Sequence, residues 1–266
     1  MLTVFRTSFK SKKQLAQDVY LFRFKLMEPN ELSFSAGQYM IMEIPQADNT
    51  VKRRFISIAS PQQDTSEFEG VMKIIPGGVA STFLLGLKKR DQVHFQGPSG
   101  MFTFQNNSRQ NIFIATGTGI GPIRSIVKSQ FPCLAGRQAI SNFQTNPKSE
   151  IPNLKPQMTL LWGLKTINSI YFFDELKEIS QKNPQFSLKI CLSQEKSLDT
   201  LSLDKRKFFV LGRVTRELDN LTTNYKLQTT NFEFYICGAK EVVDSLREYL
   251  LEKGVNPKNI HTERFI

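Results

Sequence analysis

The sequence predicts a strand-rich first half, read as an all-β barrel or sandwich, followed by a parallel α/β second half. Three observations predict this. Short apolar runs, separated by glycine-bearing turns, fill the first hundred residues. Beyond residue 110, apolar strands alternate with helix-like stretches. A glycine-rich turn stands between a strand and a helix where the second half begins. At 266 residues the chain can hold two domains, each with its own core.

In the first half, Val19 to Leu26 alternates loosely between apolar and polar positions, as a half-buried strand does. Tyr39 to Ile44, Phe55 to Ala59, Val71 to Ile75 and Gln92 to Phe95 are further strands. Gly37, Gly70, Gly77-Gly78 and Gly97-Pro98 punctuate them. One short helix is expected from Val79 to Leu87. In the second half, Asn111 to Ala115, Met158 to Trp162, Phe186 to Leu192 and Phe232 to Cys237 read as strands. Helices are expected over Ile123 to Gln130, Tyr171 to Ile179 and about Lys240 to Lys253, before a final extended segment, Asn259 to Phe265. Gly100 to Gln110 is the natural boundary, giving domains 1–105 and 106–266. Ser129 to Gln157, rich in Ser, Asn, Gln and Pro, is an irregular insertion holding a short helix or a mobile flap.

Composition narrows the function classes. Cys133, Cys191 and Cys237 are too few for the four thiolates of a usual [2Fe–2S] cluster, and no ligand spacing suggests zinc. No protein-bound metal is expected, and unpaired cysteines fit a reducing compartment. The segment Met1 to Lys13 lacks a signal-peptide apolar run, and no stretch approaches the roughly 20 apolar residues of a membrane span, so a cytoplasmic location is expected. The net charge of +11 is shared by both halves. It suits a solvated basic surface, anionic ligands or an acidic partner. No basic stripe interleaved with stacking aromatics points to nucleic acid.

The richest segment is Ile112-Phe113-Ile114-Ala115-Thr116-Gly117-Thr118-Gly119-Ile120-Gly121-Pro122. Glycines let backbone approach a ligand closely. A helix start offers unpaired N–H groups and partial positive charge to a phosphate. Pro122 suits the first helical position, where a missing N–H costs nothing. The spacing is GxGxG, distinct from the GxGxxG dinucleotide fingerprint.

With its neighbours, this turn resembles the ferredoxin–NADP reductase superfamily, and the likeness spans nearly the whole chain in motif order. Ala36-Gly37-Gln38-Tyr39 resembles a turn opening an early barrel strand. Arg54-Phe55-Ile56-Ser57-Ile58-Ala59-Ser60 resembles the flavin-binding R-x-(Tyr/Phe)-S motif, and Gly78-Val79-Ala80-Ser81-Thr82 the flavin-phosphate motif. Gly97-Pro98-Ser99-Gly100 is similar to the barrel's closing turn, and Thr116, Gly117, Thr118, Gly119, Gly121 and Pro122 to the nicotinamide-dinucleotide loop. Cys237-Gly238 and Glu263-Arg264-Phe265 complete the set.

The resemblance implies an antiparallel β-barrel holding FAD and a parallel α/β domain holding NADH or NADPH, with hydride passing between the two cofactors. Arg54 would pair with flavin phosphate, and Ser57 would hydrogen-bond the flavin N5. Ser81 and Thr82, with nearby amides, would hold phosphate oxygens. Cys237 would line the slot where the rings stack. Glu263 would position the nicotinamide or Cys237, or relay a proton. Phe265 is a candidate cover for the other flavin face. Ile56 stands where the family usually carries an aromatic, and Phe55 should face the opposite way on a regular strand. Ser193-Gln194 replaces the Ser-Arg that contacts the 2′-phosphate in NADP-using members. This leans towards NADH, although Lys165 or Lys196 could supply the charge. Electrons would leave for an external acceptor: an acidic ferredoxin or flavodoxin, an oxygenase component, or free flavin. The alternative is a non-catalytic or regulatory nucleotide-binding subunit of the same fold.

Overall fold

The computed structural model describes residues 2–105, 109–132, 157–224 and 231–265. Two compact units emerge from it: Met1–Gln105 with Gly121–Ser129, and Asn106–Ile120 with Gln130–Ile266.

The first unit is built on six antiparallel strands: β1 (Thr3–Ala16), β2 (Val19–Glu28), β3 (Tyr39–Pro45), β4 (Val51–Ser57), β5 (Glu67–Lys73) and β6 (Gln92–Ser99). They lie in the order β4-β3-β6-β1-β2-β5. A bridge between Ile58 and Gly70, with the Ala59 N–H donating to the Glu69 carbonyl at 2.7 Å, joins the two edges into a barrel. Alternation fills its interior: Phe22, Phe24 and Leu26 are buried while Arg23 and Lys25 face water. Phe24, Phe68 and Phe95 meet with ring centroids 4.9–5.3 Å apart, so much of the phenylalanine excess becomes core. Gly70 is required here, because a Cβ would collide with the Ile56 side chain. Helix α1 (Val79–Gly86) connects β5 to β6, one residue shorter than expected.

Strand β1 escapes the hydrophobic pattern. Of its 14 residues only Phe5, Thr7 and Phe9 are buried, and its polar far half continues beside β2 as an exposed ribbon. Alternation over Thr3 to Phe9 is broken by the Lys and Ser that follow.

The second unit is a parallel sheet of β7 (Gln110–Thr116), β8 (Met158–Leu164), β9 (Phe186–Leu192), β10 (Phe209–Leu211), β11 (Phe232–Ala239) and β12 (Ile260–Phe265). The order is β10-β9-β8-β7-β11-β12. β7, β8 and β11 are buried on both faces and therefore read as continuous apolar runs. Helix α2 (Ile120–Gln130) follows β7, with its stretch Gly121–Ser129 counted in the first unit, and α3 (Phe173–Lys182), α4 (Leu203–Arg206), α5 (Val214–Asn224) and α6 (Lys240–Glu252) belong to the second. α6 buries Val243, Leu246 and Leu250, a 3–4 residue stripe, against strands whose Ile112, Phe234 and Ile236 share its core. The sequence reading missed α4, β10 and α5. β10 spans three residues, too short for a period, and α5 presents little beyond Val214, Leu218 and Leu221 as an apolar stripe. Most of the Ser129–Gln157 insertion lies outside the described residues.

Within the first unit, the stretch Gly121–Ser129 is held by a buried polar network. Arg124, 3% exposed, donates to the Ala59 carbonyl at 2.7 Å and to Glu69 Oε2 at 2.6 Å. Arg23 Nε reaches Glu69 Oε1 at 2.6 Å. Ser125 Oγ donates to the Ser60 carbonyl, and Gln62 N–H donates to Ser129 Oγ. Burial alone would raise the Glu69 carboxyl, but the charge and hydrogen bonds of Arg124, with those of Arg23, hold it below its ordinary value. A carboxylate so depressed stabilises the fold above its unfolded pKa of about 4.3 and loses that contribution as pH falls through the folded value. Glu69→Gln, which removes the carboxylate that Arg124 and Arg23 share, should cost about 3–5 kcal/mol in urea unfolding at neutral pH. The gap to the parent protein should narrow as pH drops below about 4.

Candidate flavin and dinucleotide sites

In the second unit the chain runs from β7 to β8 on one side and returns to β11 on the other. The sheet order therefore reverses between β7 and β11. A crevice at the carboxyl ends of strands at such a reversal is where open α/β sheets hold ligands. The glycine turn occupies this point. A Cβ on Gly119 would collide with the Cys237 carbonyl, and one on Gly238 would collide with Thr116 Oγ1. The two strand ends thus close to backbone contact. Gly117 differs: it is exposed, its φ is +52°, and among the described residues beyond its two chain neighbours no atom lies within 4 Å of where a Cβ would stand. A ligand can approach its backbone, and only glycine takes this conformation without strain. The turn forms one 3₁₀ stretch, Gly117–Gly119, and runs into α2 at Ile120. Pro122 is therefore third in that helix, not first. It still falls within the first turn, whose N–H groups have no intrahelical partner.

Thr116 Oγ1 is buried against Gly238 and has no hydrogen-bond partner among the described residues. Cys237 is fully buried. Burial, with a smaller contribution from Glu263 opposite it on β12, pushes its thiol well above the ordinary value. It is a neutral, compact wall at physiological pH and not a thiolate nucleophile. Glu263 and Phe265 are half-buried on β12, paired with Cys237 and Ala239.

Ser193 and Gln194 follow β9 and are exposed. The Ser193 hydroxyl donates to the Leu164 carbonyl at 3.3 Å, and the Gln194 N–H donates to that of Lys165 at 2.8 Å. Four exposed cations stand just past neighbouring strand ends: Lys165 after β8, Lys196 after β9, and Arg213 and Arg216 after β10. Sequence reasoning missed both arginines because β10 was not recognised as a strand. Gly212-Arg213, after the short run Phe208 to Leu211, was the available signal.

In the first unit the motif Arg54 to Ser57 divides between two faces of β4. Ile56 is fully buried in the barrel core. Phe55, 61% exposed, turns outward with Ser57 and packs on Tyr39 with centroids 5.0 Å apart. Ile56 therefore belongs to the core, and the accessible aromatic surface beside Ser57 comes from Phe55 and Tyr39. Tyr39 was missed as a site residue, although its place at the start of β3 opposite Ser57 follows from strand register. Arg54 is exposed and its Nη1 donates to the Arg53 carbonyl at 2.8 Å. At α1, Gly78 is the N-cap. Ser81 is buried and its Oγ accepts from the Ile75 N–H at 2.8 Å, so it ties the helix start to the incoming chain. Thr82 is exposed one residue on. An open aromatic face, exposed cations and hydroxyls, and a glycine-led helix start fit a flavin nucleotide. The open Gly117 backbone fits a dinucleotide.

Comparison with known proteins agrees with this division. Residues 6–104 match the oxidoreductase FAD-binding domain, and residues 113–248 match the oxidoreductase NAD-binding domain. The chain is 25% identical over 262 residues to the toluate 1,2-dioxygenase electron transfer component of Pseudomonas putida, covering 98% of this chain and 67% of that protein. It is 27% identical over 237 residues to ferredoxin–NADP reductase B of Sorangium cellulosum, covering 87% of this chain and 85% of that one. Against propane 2-monooxygenase reductase components it spans 63% of their length. Among solved structures, a ferredoxin–NADP+ reductase from Neisseria gonorrhoeae with bound FAD and NADP shares the fold at a TM-score of 0.71 and 18% identity, with 98% of each chain covered. An Amycolatopsis cytochrome P450 reductase does so at 0.78 and 22%, covering 99% of this chain and 70% of that one. The two domains define a flavin- and nicotinamide-binding oxidoreductase. The chain belongs to the ferredoxin–NADP reductase superfamily.

Two outcomes follow from the packing. Alkylation of the native protein at pH 8, read by mass spectrometry, should leave Cys191 and Cys237 unmodified, because burial raises the Cys191 thiol to about 12 and Cys237 also well above its ordinary value. Gly119→Ala should abolish dinucleotide binding in calorimetry while flavin content is retained, since the added methyl meets backbone that cannot yield.

Proposed function

We propose that this chain takes hydride from a reduced nicotinamide dinucleotide onto FAD and delivers the electrons to a separate acceptor. The observation that carries this reading is the pairing, on one chain, of a matched FAD-binding barrel with a matched NAD-binding sheet whose glycine turn is open at Gly117. FAD, when bound, accepts two electrons as hydride and releases them singly or as a pair. The chain's residues supply position and shielding. Phe55 and Tyr39 offer an apolar face, with Ser57 beside it as a hydroxyl for the flavin edge. Arg54 and the amides at the start of α1 serve phosphate. Thr116 to Gly121 receive the dinucleotide pyrophosphate. Cys237 stays neutral and fills the slot beside the nicotinamide, with Glu263 next to it on the neighbouring strand.

The acceptor class follows from charge and kinship. A net charge of +11 favours an acidic protein partner. The relatives serve as electron transfer or reductase components for oxygenases, or as ferredoxin reductases. No described helix is long and apolar enough to cross a membrane.

Donor choice rests on the exposed strand ends. Gln194 alone favours NADH, while Lys165, Lys196, Arg213 and Arg216 offer charge to a 2′-phosphate. Anaerobic titration of FAD-loaded protein with NADH and then NADPH should bleach the visible flavin band with the preferred donor. A protein that binds flavin and stays yellow with both would reduce the role to a regulatory nucleotide-binding one. Gln194→Arg should lower KM for NADPH about tenfold, the worth of one charge-assisted hydrogen bond, with little change for NADH.

A further inference from the structure

The open glycine turn is held from beneath by two side chains that no motif includes. Trp162, on β8, donates from its indole Nε1 to the Gly117 carbonyl at 3.1 Å. Tyr171, which precedes α3, donates its hydroxyl to the same carbonyl at 3.0 Å. Both are buried, and their rings meet edge to face with centroids 4.9 Å apart, so each fixes the other's rotamer. The carbonyl they hold belongs to the exposed residue whose surroundings are open and whose φ is +52°.

We propose that Trp162 and Tyr171 are positioning residues that set the orientation of the Gly117–Thr118 peptide, and through it the affinity for the dinucleotide pyrophosphate. The geometry gives the reason. In a planar trans peptide the C=O and the following N–H point in opposite directions. Drawing the Gly117 oxygen towards the indole and the phenol aims the Thr118 N–H the other way. Two donors on one carbonyl also polarise the peptide and strengthen its N–H as a donor to an anion. A glycine with unrestricted φ would otherwise lose more conformational entropy when a phosphate orders it. Gly119 and Gly238 clamp the downstream side of the turn against β11. The indole and phenol clamp the upstream side.

Trp162 is the single tryptophan of the chain, so its emission reports on this turn alone. The inference rests on the dinucleotide reading of the turn, and the experiment separates the two. ADP-ribose, which carries the pyrophosphate without nicotinamide, is titrated into the FAD-loaded protein by calorimetry and by tryptophan fluorescence. The expected result is one Kd from both methods. Tyr171→Phe keeps the ring and loses the donor. It should raise that Kd about three- to tenfold, the worth of one neutral hydrogen bond. KM for the reduced nicotinamide should rise in parallel, with kcat and flavin content unchanged. Trp162→Phe should shift the calorimetric Kd in the same direction. ADP-ribose giving no heat with the parent protein would overturn the dinucleotide reading and the proposal with it. Parent binding with an unmoved Trp162 emission, or a Tyr171→Phe Kd within twofold of the parent value, would overturn the proposal alone.

Discussion

The dinucleotide unit depends on the approach of two strand ends to backbone contact. β7 and β11 are neighbours in the sheet, and their carboxyl ends meet where Gly119 faces Cys237 and Gly238 faces Thr116. A side chain at either glycine would push the ends apart. The turn could not then leave β7 tightly enough to start α2 at Ile120. Packing of this kind is all-or-none, because protein interiors are dense and backbone yields little. The same contact buries Cys237, which raises its thiol and keeps it chemically quiet. One steric constraint therefore sets the turn, the helix start and the character of the cysteine beside them.

The barrel solves a different problem with charge. Its closing seam is made by the Ile58–Gly70 bridge and the hydrogen bond from the Ala59 N–H to the Glu69 carbonyl. Arg124 answers the Ala59 carbonyl and the Glu69 carboxylate together, while Arg23 takes the other carboxylate oxygen. A buried pair is rarely better than apolar packing in net free energy. Its value here is direction: a guanidinium accepts only a few geometries, so the seam and the stretch Gly121–Ser129 have one register.

Much of this was legible in the sequence. The change from period two to alternating strands and helices placed the barrel and the parallel sheet, and the glycine turn marked the passage from the first strand of that sheet to a helix. Part of what stayed hidden lies where burial does not shape sequence. The polar half of β1 is solvated on both faces. β10 is three residues long, and without it Arg213 and Arg216 had no strand end to stand on. At β4, motif and period disagreed over Phe55 and Ile56, and the period was the better guide because the barrel core admits only one face. Trp162 and Tyr171 were invisible as site residues because their function is expressed through the carbonyl of another residue.

The turn from Thr116 to Gly121 contains no cation, so in the proposed role it would meet an anion without a side-chain charge. Backbone amides recognise a pyrophosphate equally well in NADH and NADPH, because the two donors differ only at the distant ribose. Discrimination must come from elsewhere, and the second unit carries exposed cations past the ends of three neighbouring strands. This separates two tasks with different physical demands. Holding pyrophosphate needs rigid, close backbone, which tolerates almost no substitution at Gly117, Gly119 or Gly238. Choosing the donor needs only charge on a solvated surface, where a substitution disturbs no packing. A substitution at exposed Gln194 would leave the glycine turn as it is. The two elements sit under different constraints, and drift at the second leaves the first intact.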